Sequence, residues 1–351
     1  MNIKQKANEK WRVESLVLLL VVIVIISIPL STILGSSDIA LHQVWDVYKE
    51  ATGFPNHAEI EAPVRTIVWD LRFPRALLAI FVGAGLAMSG CAMQAVTKNV
   101  MAEPYTLGVA SGASLFAAFS IAFLRSYRLP LELGVSGFAF LGALLAMFTV
   151  FKLAAGNTVG RSTNRLILSG VAISIFCNAV LQLIISAVRS EAKLRGIIYW
   201  TMGSLGAARW FGLLPPLIAA VLGFIILFAY SETLNLMSLG SETAVSLGVN
   251  IQVFQRRIIA TISLVTAVMV SASGCIGFIG LVIPHVSRKL VGADHRNLLP
   301  IASLIGSLAL LWADAFSRII IAPEELSVGV LTALVGVPFF LFLLRKGEQI
   351  V

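Results

Sequence analysis

The sequence predicts an all-α, polytopic membrane protein with about ten transmembrane helices. Three observations carry that prediction. Of the 351 residues, 58% are hydrophobic and only 13% charged, and the mean hydropathy is +0.92, whereas soluble domains run near half apolar and about a quarter charged. The apolar residues fall in long blocks along the whole chain; at about 20 residues per span, ten spans leave too little for a separate catalytic domain. The positive charge, finally, sorts to alternate connections between blocks. This composition excludes a soluble enzyme, a disordered chain and a nucleic-acid-binding domain with a membrane anchor.

The elements follow in order. Residues 1–12 are polar and basic (Lys4, Lys6, Lys10, Arg12) and form an expected cytoplasmic tail. The apolar run 13–34 comes next. A basic start before an apolar run also fits a secretory signal peptide, but this run is long enough to span and further membrane segments follow, so it is read as the first helix. Residues 35–62 are polar, with Asp38, Asp46, Glu50, Glu59 and Glu61. The remaining spans are expected near 64–95, 106–124, 130–152, 164–188, 211–230, 258–274, 277–291, 298–320 and 326–344. The second is too long for a simple span, so it should tilt or project. The stretch 189–210, with Arg189, Lys193, Arg195, Tyr199 and Trp200, is amphipathic and suits an interfacial helix or a re-entrant segment. The permease domain is thus 13–346, with a short cytoplasmic tail at 347–351.

Ten spans put both termini on one side. With the termini inside, the inner segments hold 15 of the 26 basic and 7 of the 18 acidic residues, which leaves the outer segments neutral with 11 of each. The whole excess of +8 is then cytoplasmic, as positive-inside sorting requires. Basic inner loops need no nucleic-acid partner. Glycines at 83, 85 and 90, and at 108 and 112, suit close helix approach.

Chemistry-bearing patterns are sparse. Cys91, Cys177 and Cys275 lie in apolar blocks, without disulfide or metal partners at suitable spacing. No two of His42, His57, His285 and His295 have metal-binding helical spacing. There is no Gly-x-x-x-x-Gly-Lys-Ser/Thr phosphate loop, so ATP hydrolysis, a metal site and a resident cofactor are not expected. A secondary transporter needs inverted repeats and midplane ionisable residues, and neither is seen. Asp314 is the main candidate buried acid. It pairs at i,i+4 with Arg318, as a structural ion pair near the outer surface or a proton relay.

The most informative polar segment is 234–250, within a loop of about 231–257. It reads as two short helices broken at Gly240 and Gly248, with Glu242 in the first turn of the second, where an acid suits the helix dipole. Leu239, Ala244, Leu247 and Val249 offer a small apolar face. Such a helix docks in a partner's groove or lies on the bilayer; spacing alone leaves both open.

This segment resembles the coupling loop of the iron-siderophore, haem and vitamin B12 permeases of bacterial ABC importers, the FecCD-type membrane-spanning subunits. Leu-Arg-Phe-Pro-Arg at 71–75, Gly-Ala-Gly-Leu-Ala-Met-Ser-Gly-Cys-Ala-Met-Gln at 83–94 and Asn-Val-Met-Ala-Glu-Pro at 99–104 resemble further stretches of that family, as do 199–206, Gly-Phe-Ile-Gly-Leu-Val-Ile-Pro-His at 277–285, Ala313-Asp314, Arg318 and Gly-Val-Pro-Phe-Phe at 336–340. The likeness runs from about residue 64 to the end. Val100 and Ser327 stand where the family has proline, and Phe73 where leucine is common.

The resemblance implies a type II ABC importer permease fold, like that of the vitamin B12 permease. It implies two permease copies, identical or paralogous, in the bacterial cytoplasmic membrane, with two ATPase subunits and an extracytoplasmic binding protein. Arg72, Arg75 and Arg318 would receive glutamates of the binding protein; the alternative is snorkelling to lipid phosphate. Ser238, Leu239, Gly240, Ser241, Glu242, Ala244, Leu247 and Gly248 would contact the ATPase. Asn99, Met101, Thr163 and Asn164 would form the cytoplasmic gate, and for the last two N-capping of the fifth helix is a compatible role. The expected cargo is a ferric siderophore, with haem and vitamin B12 as alternatives.

Overall fold

The computed structural model describes residues 3–35, 37, 39–55, 60–124, 131–154 and 163–345, and every described element is helical. A long first helix, α1 (Ile3–Ile33), leads to a short α2 (Leu41–Ala51), whose Val44 and Val47 pack on Val68. Next comes a continuous helical stretch, Ala62–Thr97, of 36 residues. It comprises α3 (Ala62–Arg65), a π-helical segment (Thr66–Arg72) and α4 (Phe73–Thr97). The expected excess length is therefore real, and part of its N-terminal portion is wound as a π-helix.

There follow a 3-10 turn (Pro104–Leu107), α5 (Val109–Phe123), α6 (Leu131–Ala154), α7 (Thr163–Ala187) and α8 (Glu191–Met202). The second half holds α9 (Leu214–Ala229), two short helices α10 (Ser231–Leu239) and α11 (Ser241–Ser246), α12 (Ile251–Ser273), α13 (Ile279–Val291), α14 (His295–Ser317) and α15 (Val328–Arg345). The interfacial segment expected at 189–210 is helical over α8. The helices long and apolar enough to cross a bilayer number seven among the described residues; α5, α13 and α15 are shorter and complete the ten expected segments.

The core sits around α4, most of which is buried, with α12 and α14 packed along it. Small residues set that spacing. A Cβ on Gly83 would strike the carbonyl of Gly306 in α14, and one on Gly90 would strike that of Gly280 in α13, so these helices meet backbone to backbone. By contrast α1, α6, α7 and α9 leave long apolar faces exposed, among them Leu18 and Ile25 on α1 and Leu168, Ile175 and Phe176 on α7.

At about 1.5 Å per residue, α5 and α13 are too short to cross about 30 Å of hydrocarbon. The sequence expectation began them at 106 and 277; the structure starts them at Val109 and Ile279, after a 3-10 turn and a non-helical stretch respectively, and the two breaks satisfy each other. The Tyr105 hydroxyl donates to the Ile276 carbonyl at 3.0 Å and accepts the Ile276 N–H at 3.2 Å. Glu103 Oε1 accepts the Phe278 N–H at 3.2 Å. Ser114 Oγ lies 3.2 Å from Cys275 Sγ. Backbone groups that lose their helical partners thus find side chains.

Candidate functional site

At the N-terminal end of α4, Arg75 reaches α14. Its Nε donates to both carboxylate oxygens of Asp314, at 2.8 and 3.0 Å, and its Nη1 to Glu325 Oε2 at 2.6 Å. Arg318, one turn beyond Asp314, has its Nε 3.4 Å from Asp314 Oδ2 and donates through Nη2 to the Ser31 carbonyl at 3.0 Å. Arg72 closes the group. Its Nη1 donates to the carbonyls of Thr32 and Ile33, at 2.9 and 3.0 Å, and its Nη2 to that of Ser37 at 3.0 Å. Asp314 thus takes part in the expected i,i+4 pair, but its shorter contacts are with Arg75, on another helix.

The resemblance implied arginines that receive a partner's glutamates. The structure brings all three together but buries them: Arg72, Arg75 and Arg318 are 6%, 7% and 2% exposed. They stand in a recess of about 280 Å³ that Arg209, Gly206 and Glu325 also line. Four guanidiniums and the Glu325 carboxylate line it, and Asp314 is buried behind them against Arg75 and Arg318. Burial of so much like charge needs hydrogen-bonded partners, which α1 supplies through its last carbonyls. Arg318 Nη1 has no acceptor among the described residues. Beside the recess an aromatic group, Tyr48, Trp69, Phe73 and Trp210, packs with ring centroids 5.0–6.2 Å apart. Phe73, where the resembled family has leucine, supplies one of these rings.

At the other end, the chain breaks at Gly240 (φ 137°) and Gly248 (φ 84°), as the sequence suggested. Ser238 is exposed, and its hydroxyl donates to the Leu234 carbonyl at 3.1 Å. Glu242 falls in the first turn of α11. The side chains of Leu239, Ser241 and Glu242 lie outside the described residues. The single apolar face expected of Ala244 and Leu247 is divided: Ala244 is fully buried in the core, while Leu247 is 62% exposed.

Sequence reasoning missed the residues that tie this loop to the bundle. Asn235 of α10 accepts the His295 N–H at 2.8 Å through Oδ1, which also lies 2.7 Å from His295 Nδ1. Its Nδ2 donates to Asp294 Oδ1 at 2.7 Å, and Glu232 pairs with Arg296. The loop that precedes α12 is thereby fastened to the start of α14. The only available signal was a lone amide in an otherwise apolar Leu-Asn-Leu run.

Of the residues expected at the gate, Asn99 and Met101 are exposed beside the end of α4. Asn99 Oδ1 accepts the Met101 N–H at 2.9 Å, an Asx turn that fixes the loop. Thr163 begins α7; its side chain and that of Asn164 lie outside the described residues. In the same connection between α4 and α5, burial pushes the Glu103 carboxyl up to about 7, and the bond from the Phe278 N–H opposes this. Among the described residues no three His, Cys, Asp or Glu side chains stand together as a metal site would require.

Residues 19–346 match the family model of the FecCD transport family. A cobalamin import system permease of Halobacterium salinarum is 40% identical over 307 residues, covering 87% of this chain and 80% of that one. An Fe(3+)-citrate import system permease of Bacillus subtilis is 34% identical over 335 residues, 94% of each chain. Among solved structures, a metal-chelate type ABC transporter in an inward-facing conformation superposes with a TM-score of 0.81 at 30% identity, covering 95% of this chain and 99% of that one.

Proposed function

This chain belongs to the FecCD transport family and is a permease of an ABC importer, and from that premise we propose that it carries an iron(III)-siderophore complex across the bacterial cytoplasmic membrane. The observation that carries the cargo reading is the coverage of the iron-citrate relative, end to end at 94% of both chains; the metal-chelate transporter structure supports it. The chain itself holds no phosphate loop, so transport draws on separate ATPase subunits.

In this reading two permease copies, identical or paralogous, stand with two ATPases and an extracytoplasmic binding protein. Both termini and the 231–257 loop face the cytoplasm, and the exposed faces of α1, α6, α7 and α9 meet lipid or the second copy. The arginine recess receives carboxylates of the binding protein, for which the planar guanidinium is suited. Such charges set orientation and association rate more than affinity. The broken helices α10 and α11, with Ser238–Gly248, contact the ATPase, and their displacement shifts packed helices between two arrangements. Asn99 and Met101, with Thr163 and Asn164, form the inner gate, built of groups that do not grip a bulky solute.

A second reading, cobalamin import, is favoured by the 40% identity of the Halobacterium relative. Uptake into vesicles carrying the complete importer separates the two. Accumulation of iron-55 siderophore, with labelled cobalamin excluded, is the expected result, and the reverse overturns the cargo reading. Uptake without ATPase subunits overturns the importer mechanism.

A further inference from the structure

The recess holds one carboxylate that differs from the other in every respect that governs exchange. Asp314 is fully buried and held from two sides, by Arg75 and Arg318. The Glu325 side chain is 43% exposed, and its described bond runs through one oxygen, Oε2, to Arg75 Nη1. It sits in the connection between α14 and α15, three residues before Val328 begins α15. The recess around it carries an excess of guanidinium, and Arg318 Nη1 is a buried donor with no acceptor among the described residues.

We propose that Glu325 is a displaceable stand-in for the carboxylate that an arriving binding protein brings to this recess. The inference rests on the docking reading above and adds the residue that regulates it. An empty recess would leave Arg75 with one carboxylate for a buried guanidinium, which is costly; Glu325 fills that role from the protein's own chain. A glutamate or aspartate of the partner offers Arg75 the same bond and finds the vacant donor of Arg318 in addition. Exchange of one carboxylate for another costs little, because the buried charge is never left bare. Glu325 can return to water, where an exposed carboxylate is well solvated. The exchange also has a mechanical result. Glu325 ties the α14–α15 connection to α4, so its release frees the segment that leads into α15, while Gly329 stays bonded to the Gly203 carbonyl at 3.3 Å. Docking is thereby read out as the loosening of one loop.

The test uses the complete permease–ATPase complex in lipid nanodiscs and the binding protein of the same import system. Equilibrium capture is measured for wild type, Glu325→Gln and Glu325→Asp. With the competitor uncharged, Glu325→Gln should capture the binding protein about tenfold more tightly; Glu325→Asp, charged but shorter, should fall between. Unchanged or weaker capture by Glu325→Gln overturns the proposal. A wild-type association rate that is insensitive to salt overturns the docking reading instead, since charge-steered encounter slows as salt screens it. Should Glu325→Gln fail to assemble, a spin label at the exposed Ile320→Cys, with Glu325 intact, decides. Greater label mobility on adding binding protein supports the exchange, and unchanged mobility overturns it.

Discussion

Arg75 and Asp314, 239 positions apart, form the ion pair that joins the start of α4 to the end of α14, with Arg75 Nε 2.8 and 3.0 Å from the two carboxylate oxygens. Asp314 has no exposed surface, so its charge is answered only by Arg75 and Arg318. Asp314→Asn leaves two buried guanidiniums facing a neutral amide, and breaking a buried pair in this way costs about 3–5 kcal/mol. A fall of several degrees in the unfolding midpoint of the detergent-solubilised protein is expected. The double variant Arg75→Met/Asp314→Leu should lose less than the two single variants summed, as a double-mutant cycle would show.

The α4–α14 contact depends on the absence of side chains. Gly83→Val drives a branched side chain against the Gly306 carbonyl. Overpacking of about 1–3 kcal/mol or more is expected, read as lower yield and lower thermal stability. Gly137→Ala, at a position where an added Cβ meets nothing within 4 Å, should be neutral or slightly stabilising.

Glu103 confers a pH dependence. Its carboxyl titrates at about 7 in the folded protein against an ordinary 4.5, so the folded state holds the proton more tightly than the unfolded one. The stabilisation is present in full below about pH 4.5 and is lost as pH rises through about 7. Unfolding midpoints measured from pH 5 to 8 should fall with pH, and Glu103→Gln, which keeps an acceptor for the Phe278 N–H, should flatten the profile. An unaltered slope in that variant counts against the assignment.

Gly240 adopts a backbone conformation (φ 137°, ψ 145°) that side chains rarely tolerate. Gly240→Val should strain the α10–α11 corner by about 1–3 kcal/mol. Membrane insertion and basal ATP hydrolysis should persist, while uptake per ATP falls about tenfold or more. Asn235→Ala, which unfastens the same loop from His295 and Asp294, should lower that ratio in the same direction without straining the corner.

The ten apolar segments and the glycine corners of the 234–250 loop were legible because each is written in consecutive residues: long apolar runs, and glycines where the chain must turn. The late starts of α5 and α13 were not, since Leu107 in a 3-10 turn and Phe278 in non-helical backbone are as apolar as in an α-helix, and hydropathy does not register the difference. The arginines were found by motif, but their burial was hidden because it arises from partners far along the chain: carbonyls of α1 for Arg72, and Asp314 for Arg75. Glu325 was passed over for the same reason. It lies in a Pro-Glu-Glu run that resembles an ordinary solvated turn until Arg75 is placed beside it.

Helix α14 has a consequence of its own. Its 23 residues extend about 35 Å. His295 at one end is clasped by Asn235, and Asp314 and Arg318 at the other anchor the arginine recess. Between these points it lies against α4 with no side chain to cushion Gly83 from Gly306. Held at both tips and along this contact, α14 moves with its neighbours: a shove felt at its His295 tip is passed to its Arg318 tip, and no chemical messenger need travel between the two ends of the bundle.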